Sequence, residues 1–383
     1  MRRRSIAFAI IAVLVAACSE ADGVDAADAG RLVLWNEDAI SILDEGDLVD
    51  IETTGAVSQV TAGPDGALIW TRIERNPPSV AAVIHRDTRV TLDTPTVPFF
   101  YEWSPTGERV ALLGNAPSGG GLLFGMIDVE TEELTTVESP PPFFFDWAPD
   151  GTRLIAHVGG STLVIIDAET GDLRELRGDS GAFPAPIWTE RGIVVAIGLS
   201  PTITSQIVPV GYQSVASEVV LIDPVDASSA TLAEVDGPVR LFSGDDALAL
   251  AIGSTGNQRI DVIGWDGTPR ATLGRGTIDL AQWSPDGSTL LWTERNADGT
   301  LTPMTWTDGE IGDHDAFRPS PVFASAYLPF WDQYDRTISL WAGDSTAFAL
   351  PTDDGVVVHG LDGASSTYSN WNMAVWTIGP EEG

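Results

Sequence analysis

The sequence predicts an all-β fold, a β-propeller, on three observations. A hairpin motif built around Trp, a small residue, Pro, Asp and Gly recurs seven times along the 383 residues. The copies are VTAGPDGALIWT (60–71), YEWSPTGERVALLG (101–114), FDWAPDGTRLIAHVG (145–159), PIWTERGIVVAIG (186–198), RLFSGDDALALAIG (240–253), AQWSPDGSTLLWTE (281–294) and SLWAGDSTAFALP (339–351). The spacing is regular: the turn glycine moves from Gly66 to Gly107, Gly151 and Gly192, and a later interval, Asp246 to Gly287, has the same length as the first. Finally, a second hairpin follows most copies, as in LLFGMIDVETEELTTV (122–137), TLVIIDAETGDLRELR (162–177), EVVLIDPVDASSATLA (218–233) and RIDVIGWDGTPRATL (259–273). Four antiparallel strands in about 40–45 residues is the period of a propeller blade.

The local chemistry of each copy explains the hairpin. Pro presets φ at the second turn position, Asp accepts backbone amides, and Gly takes the left-handed conformation that closes the turn. The flanking residues are apolar β-formers. Trp103, Trp147, Trp188, Trp283 and Trp341 are expected to pack between neighbouring blades. Repeats of this Trp-Ser-Pro-Asp-Gly type resemble the WD40-like propeller repeats of the TolB family and related extracytoplasmic proteins. The resemblance spans nearly the whole chain after its first 30 residues and implies a fold, not an activity. It does not extend to the α/β domain that precedes the propeller in that family.

Blade number follows from the ends. Seven units run from about 57 to 368, a lone hairpin RLVLWNEDAISIL (31–43) precedes them, and a lone strand NMAVWTI (372–378) follows. An open ring would leave unpaired edges, so hairpin and strand are expected to join as a composite eighth blade. Seven blades is the alternative, because the copies at 186 and 240 depart furthest from the motif. The expected organisation is a signal peptide (1–17), an acidic tether (18–30) and one propeller domain (31–378).

The first 18 residues, MRRRSIAFAIIAVLVAAC, pair an Arg-rich start with an apolar run too short to span a bilayer, as secretory signals do. Val15-Ala16-Ala17-Cys18 resembles the lipobox of bacterial lipoproteins, which implies lipidation at Cys18 and an extracytoplasmic chain anchored to a bacterial membrane. Cys18 is the sole cysteine, so no disulfide within the chain can form. With 55 acidic residues against 20 basic ones, a net charge of −35 and no Lys at all, nucleic acid is excluded as a partner. An envelope protein or peptide is the expected partner, and the propeller is expected to be a monomer.

Most catalytic motifs fail on context. Gly178-Asp179-Ser180-Gly181-Ala182 lies between propeller hairpins, where no triad geometry is available, and reads as a turn. An α/β-hydrolase domain of the prolyl oligopeptidase type is not expected between the last strand and Gly383. His85, His157, His314 and His359 lack paired zinc spacing, Asp313-His314-Asp315 reads as a solvated loop, and Asp353-Asp354-Gly355 lacks the remaining ligands of a Ca²⁺ loop. Gly119-Gly120-Gly121 has no following Lys. No metal site and no cofactor is expected.

Binding is expected on the face carrying the loops that enter the first and third strands of each blade, where two insertions, 199–217 and 312–336, and two Pro-aromatic runs, 94–103 and 139–147, converge. The candidate contacts are Phe100, Tyr101, Phe143, Phe144, Tyr212, Gln213, Trp331, Asp332, Tyr334 and Arg336. For the Phe runs the competing reading is that alternate residues point into blade interfaces. The function these features suggest is a non-catalytic binding or assembly module of the cell envelope. The rival is a propeller enzyme acting on a small molecule or glycan at the channel mouth, and a third reading is a spacer whose loops bind nothing.

Overall fold

The computed structural model describes residues 30–44, 46–75, 78–86, 88–178, 185–198 and 217–377. Eight antiparallel sheets form a closed ring, a β-propeller of eight blades. Met373–Trp376 is the innermost strand of blade 1, and the chain start supplies its outer three strands, Leu32–Trp35, Ile40–Asp44 and Asp47–Ile51. Leu32 faces Trp376 and Trp35 faces Met373 in this closing register. The composite blade expected from the sequence is therefore formed, with one more strand from the start of the chain than the lone hairpin implied.

Blades 2 to 7 begin with the inner strands Ala56–Ala62, Pro98–Trp103, Phe143–Trp147, Ile187–Thr189, Val239–Ser243 and Ile278–Trp283, each followed by three strands outward. Blade 8 comprises Ala347–Thr352, Gly355–Gly360 and Ser365–Tyr368; its inner edge is Leu340–Trp341, bridged to Phe348 and bonded from the Ala349 amide to the Leu340 carbonyl at 2.7 Å. Inner strands are almost wholly buried, whereas outermost strands such as Glu133–Ser139 are largely exposed. This gradient is what a ring of radial sheets requires.

The repeat's Trp and its small residue work as a pair across blade boundaries. At three boundaries the indole lies against the small residue that follows the Trp position in the preceding blade. Gly63 touches Trp103 so closely that a Cβ there would come within 2.4 Å of the ring, and Gly244 stands under Trp283 in the same way at 2.8 Å. Ala148 packs with Trp188 in one cluster. Three indoles also donate to the preceding blade: Trp147 Nε1 to the Glu102 carbonyl at 3.2 Å, Trp283 Nε1 to Phe242 at 3.3 Å, and Trp341 Nε1 to Gln282 at 3.2 Å. The Phe242 bond corrects the sequence alignment of the copy at 240–253. Its turn is two residues shorter, closed by a bond from the Gly244 amide to the Ala247 carbonyl, so Ser243 rather than Phe242 stands at the Trp position.

The acidic composition has a local use. Asp150, Asp266, Asp298 and Asp344 each accept the amide two residues ahead, at Thr152, Thr268, Thr300 and Thr346, at 2.9–3.0 Å. These bonds hold the turn in an Asx geometry and favour the ionised carboxylate. They lower the pKa of Asp150, Asp266 and Asp298 below the usual carboxylate value.

Because the indole of Trp103 fills the space beside Gly63, Gly63→Ala is expected to overpack the boundary of blades 2 and 3 and cost about 1–3 kcal/mol. A thermal melt no lower than wild type would show that this boundary can yield.

Candidate functional site

The insertion after blade 7 does not stand on the rim. From Ser320 it turns inward through Phe323–Tyr327, Leu328–Phe330 and Trp331–Tyr334 and fills the axis of the ring. Apolar side chains drive it there: Phe323, Tyr327, Leu328, Trp331 and Tyr334 belong to the largest buried cluster, together with inner-strand residues of most blades. Tyr327 and Tyr334 rings lie 4.7 Å apart, and Trp331 meets Phe323 edge-on at 5.5 Å.

Polar groups of this plug pair with the inner strands around the ring. Tyr327 Oη donates to Gln59 at 3.1 Å in blade 2, and Tyr334 Oη to the Phe99 carbonyl at 2.5 Å in blade 3. Gln333 caps both the amide and the carbonyl of Phe145 in blade 4, at 3.2 and 2.8 Å. Trp331 Nε1 donates to the Ala281 carbonyl at 3.0 Å in blade 7, while Gln282 donates to the carbonyls of Asp335 (2.6 Å) and Ile338 (2.9 Å). The Thr61 hydroxyl donates to the Thr337 carbonyl. The plug thereby satisfies polar groups that an axis of this kind would otherwise strand.

At its centre lies a buried charge cluster. The Arg336 guanidinium donates to the Pro186 carbonyl at 2.6 Å and the Asp332 carbonyl at 2.8 Å, and stands 3.3 Å from Asp146 and 3.7 Å from Asp335. Glu102, 5% exposed, completes the group through a hydrogen bond to Asp146. Burial and the neighbouring Asp146 charge push the Glu102 carboxyl well above its ordinary pKa. Burial likewise raises Asp335, against the pull of Arg336. Burial disfavours the charge on Arg336 itself, but the surrounding carboxyls outweigh it and raise its pKa.

The expected contacts fall in several places. Trp331, Asp332, Tyr334 and Arg336 come together, inside the plug and not on an exposed rim. Phe100 and Phe143 are buried in the same core: the Phe100 ring lies 5.2 Å from Tyr334, and Phe143 stacks on Phe124 at 5.2 Å. Tyr101 is buried between blades, bonded to the Thr71 hydroxyl at 2.9 Å. Phe144 is half-buried. These aromatics turn inward because each sits in or against an inner strand, whose side chains have other blades or the plug on both sides. Tyr212, Gln213 and Cys18, with the signal and nearly all of the tether, lie outside the described residues, as do most of 178–182 and of the 199–217 insertion. Sequence reasoning missed Thr61, Glu102, Asp146 and Gln282. All four occupy one position of the repeat, immediately before the Trp or its equivalent, and a polar residue recurring in an otherwise apolar inner strand was the available signal.

His314 and His359 meet across blades 7 and 8, ring centroids 5.8 Å apart, both packed on Phe348. Among the described residues no group of three or more His, Cys, Asp or Glu side chains is placed to hold a metal ion. The same residues contain no helix long and apolar enough to cross a membrane.

An open cleft of about 380 Å³ lies between blades 4 and 5. It opens among the turns opposite the plug's entrance, which is not the face expected from loop lengths. Trp188 forms its floor with the Arg153 guanidinium 5.2 Å above the ring, and Asp150, Glu190, Arg191, Pro224 and Val225 line it. Arg191 lies over Trp265 at 5.3 Å. Val225 is 79% exposed, the most exposed large apolar side chain among the described residues.

Replacing Arg336 with Met should leave the buried carboxyls without their cation. A loss of about 3–5 kcal/mol is expected, read in a denaturant titration; an unchanged midpoint would mean the carboxyls neutralise one another.

No family model matches the sequence, and no curated protein matches it. Solved structures do match. A crystal structure of a eukaryotic initiation factor aligns with 92% of this chain and 100% of its own at 10% identity and a TM-score of 0.59. The β-propeller domain of the Trilobed protease from Pyrococcus furiosus, described as having an open velcro topology, aligns over 84% of this chain and 94% of its own at 14% identity and a TM-score of 0.50. A prolyl endopeptidase aligns over 85% of this chain at 12% identity and a TM-score of 0.55, but this chain spans only about half of it (51%). An oligogalacturonate lyase in complex with manganese aligns over 83% of this chain and 86% of its own at 13% identity and a TM-score of 0.53. At these identities the likeness establishes the β-propeller fold and nothing finer.

Proposed function

We propose that this chain is a lipid-anchored extracytoplasmic propeller that works as a non-catalytic binding or assembly module of the bacterial cell envelope. The observation that carries the reading is the plugged axis. Residues 320–338 occupy the position where a channel ligand would bind, and the titratable groups converging there are engaged with one another and covered by the chain itself. Recognition is then left to the outer surface, where the cleft over Trp188 offers an aromatic floor, two arginines and the exposed Val225. Anchoring rests on the Arg-rich apolar leader ending at Cys18.

The enzyme reading keeps one specific support. Glu102, Asp335 and Arg336 have displaced pKa values and stand together, as catalytic groups often do, and peptidases and a lyase share the fold. Their burial, Glu102 in the wall and Asp335 and Arg336 in the plug itself, favours the binding reading.

Cys18→Ser should move the protein from the membrane to the soluble fraction; unchanged fractionation removes the anchor from the proposal. In-cell crosslinking and affinity capture should recover a discrete partner from wild type. Loss of that partner from a Val225→Glu, Arg191→Glu double variant with an unchanged melt would map recognition to the cleft. Its loss from a variant shortened across 199–217 would map it to the insertion instead. If wild type captures no partner and the soluble ectodomain turns over a small molecule or glycan, the enzyme reading replaces this one.

A further inference from the structure

The charge cluster at the axis is asymmetric in a way that suggests a device. Glu102 and Asp146 belong to the wall, on the inner strands of blades 3 and 4; Asp332, Asp335 and Arg336 belong to the plug. Arg240 of blade 6 adds the one further cation acting on Asp335, while its guanidinium is bonded to the carbonyls of Ile278 and Asp279. Four carboxyls thus face two guanidiniums, and the cluster is balanced only while two protons remain on it. The Asp146 carboxylate is already committed to Arg336 at 3.3 Å and to the Trp188 amide at 2.5 Å. Glu102 Oε2 is buried without a hydrogen-bond partner, so a charge placed there has neither solvent nor a donor to stabilise it. Tyr334 and Tyr327, the other titratable groups of the plug, are buried and bonded to Phe99 and Gln59, and their raised pKa values keep them neutral well above the carboxylate range.

We propose that the proton held between Glu102 and Asp146 is the catch that keeps the plug seated, and that its loss as pH rises loosens the plug from blades 3 and 4 and opens the axis of the ring. With both wall carboxyls ionised, Arg336 faces two charges on the wall and one of the two balancing protons is gone. Separation of the plug from the wall hydrates all of them at once. The plug is the part that can move, since each wall strand is held by the ladder to the next strand of its blade, whereas the plug meets the wall through side chains. The sign follows from linkage. A carboxyl whose pKa is raised in the seated state binds its proton more tightly there than in the released state, so the seated state is favoured at low pH. It is disfavoured progressively as pH rises through the raised value.

Hydrogen exchange of the intact protein, followed by mass spectrometry from about pH 6 to about pH 10 and corrected for intrinsic exchange, reads this directly. In wild type the protection of 320–338 should fall with rising pH by up to about tenfold per unit, the limit for one coupled proton, while the outer ladders of blades 5 and 6 keep theirs. Glu102→Gln mimics the protonated acid in shape and donor, and should hold the plug protected across the range. Asp146→Asn, which removes the repelling charge, should shift the loss to higher pH or abolish it. Wild-type protection that does not change with pH, or a Glu102→Gln profile that falls as wild type does, overturns the proposal. If both variants fail to fold, the wild-type profile alone decides it.

Discussion

The contact on which the ring depends is the one between a tryptophan and a residue too small to displace it. Where Trp103 lies on Gly63, and Trp283 on Gly244, the distance between two inner strands is set by the thickness of an indole. Indole-to-carbonyl bonds from Trp147, Trp283 and Trp341 add direction to that spacing, since each must reach one particular backbone oxygen of the preceding blade. Repeated at several blade boundaries, this spacing and angle favour a closed ring, and the pairing of Leu32–Trp35 with Met373–Trp376 closes it.

A ring of eight blades leaves an axis lined by inner strands, and the chain fills it with its own residues. Filling it is favourable because Phe323, Trp331, Tyr327 and Tyr334 bury large apolar surfaces there. It also carries a cost, because Arg336 and its carboxyl neighbours must leave water. The cluster offsets that cost by sharing protons and by lending the guanidinium to backbone carbonyls on both sides. The same groups that resemble a catalytic constellation therefore hold an internal joint together. The open cleft lies elsewhere, over Trp188 among the turns between blades 4 and 5.

The strong acidity reads differently once the turns are seen. Part of it sits where a carboxylate is wanted locally, as an acceptor for the amide two residues on in the turns. Such aspartates are exposed and hydrogen-bonded in place, so charge and turn geometry support each other. A surface of this kind repels polyanions whatever its partner proves to be.

The sequence by itself determined the blades. Turn chemistry and strand patterning act over fewer than twenty residues, so Pro-Asp-Gly followed by an apolar run specifies a hairpin wherever it occurs, and seven such units with a hairpin before and a strand after specify a ring of eight. The Trp at the blade boundary was legible for the same reason. The tertiary structure decided where 312–336 goes and what its side chains do. A Pro-aromatic insertion reads the same whether it stands on a rim or folds into an axis, because the choice depends on a cavity that exists only after eight blades have closed. Glu102 and Asp146 were visible only as polar residues preceding Trp; their meeting with Arg336, nearly two hundred residues or more away, is set by the curvature of the ring. Proximity of that kind has no local signature, which is why the fold could be read from the chain and the site could not.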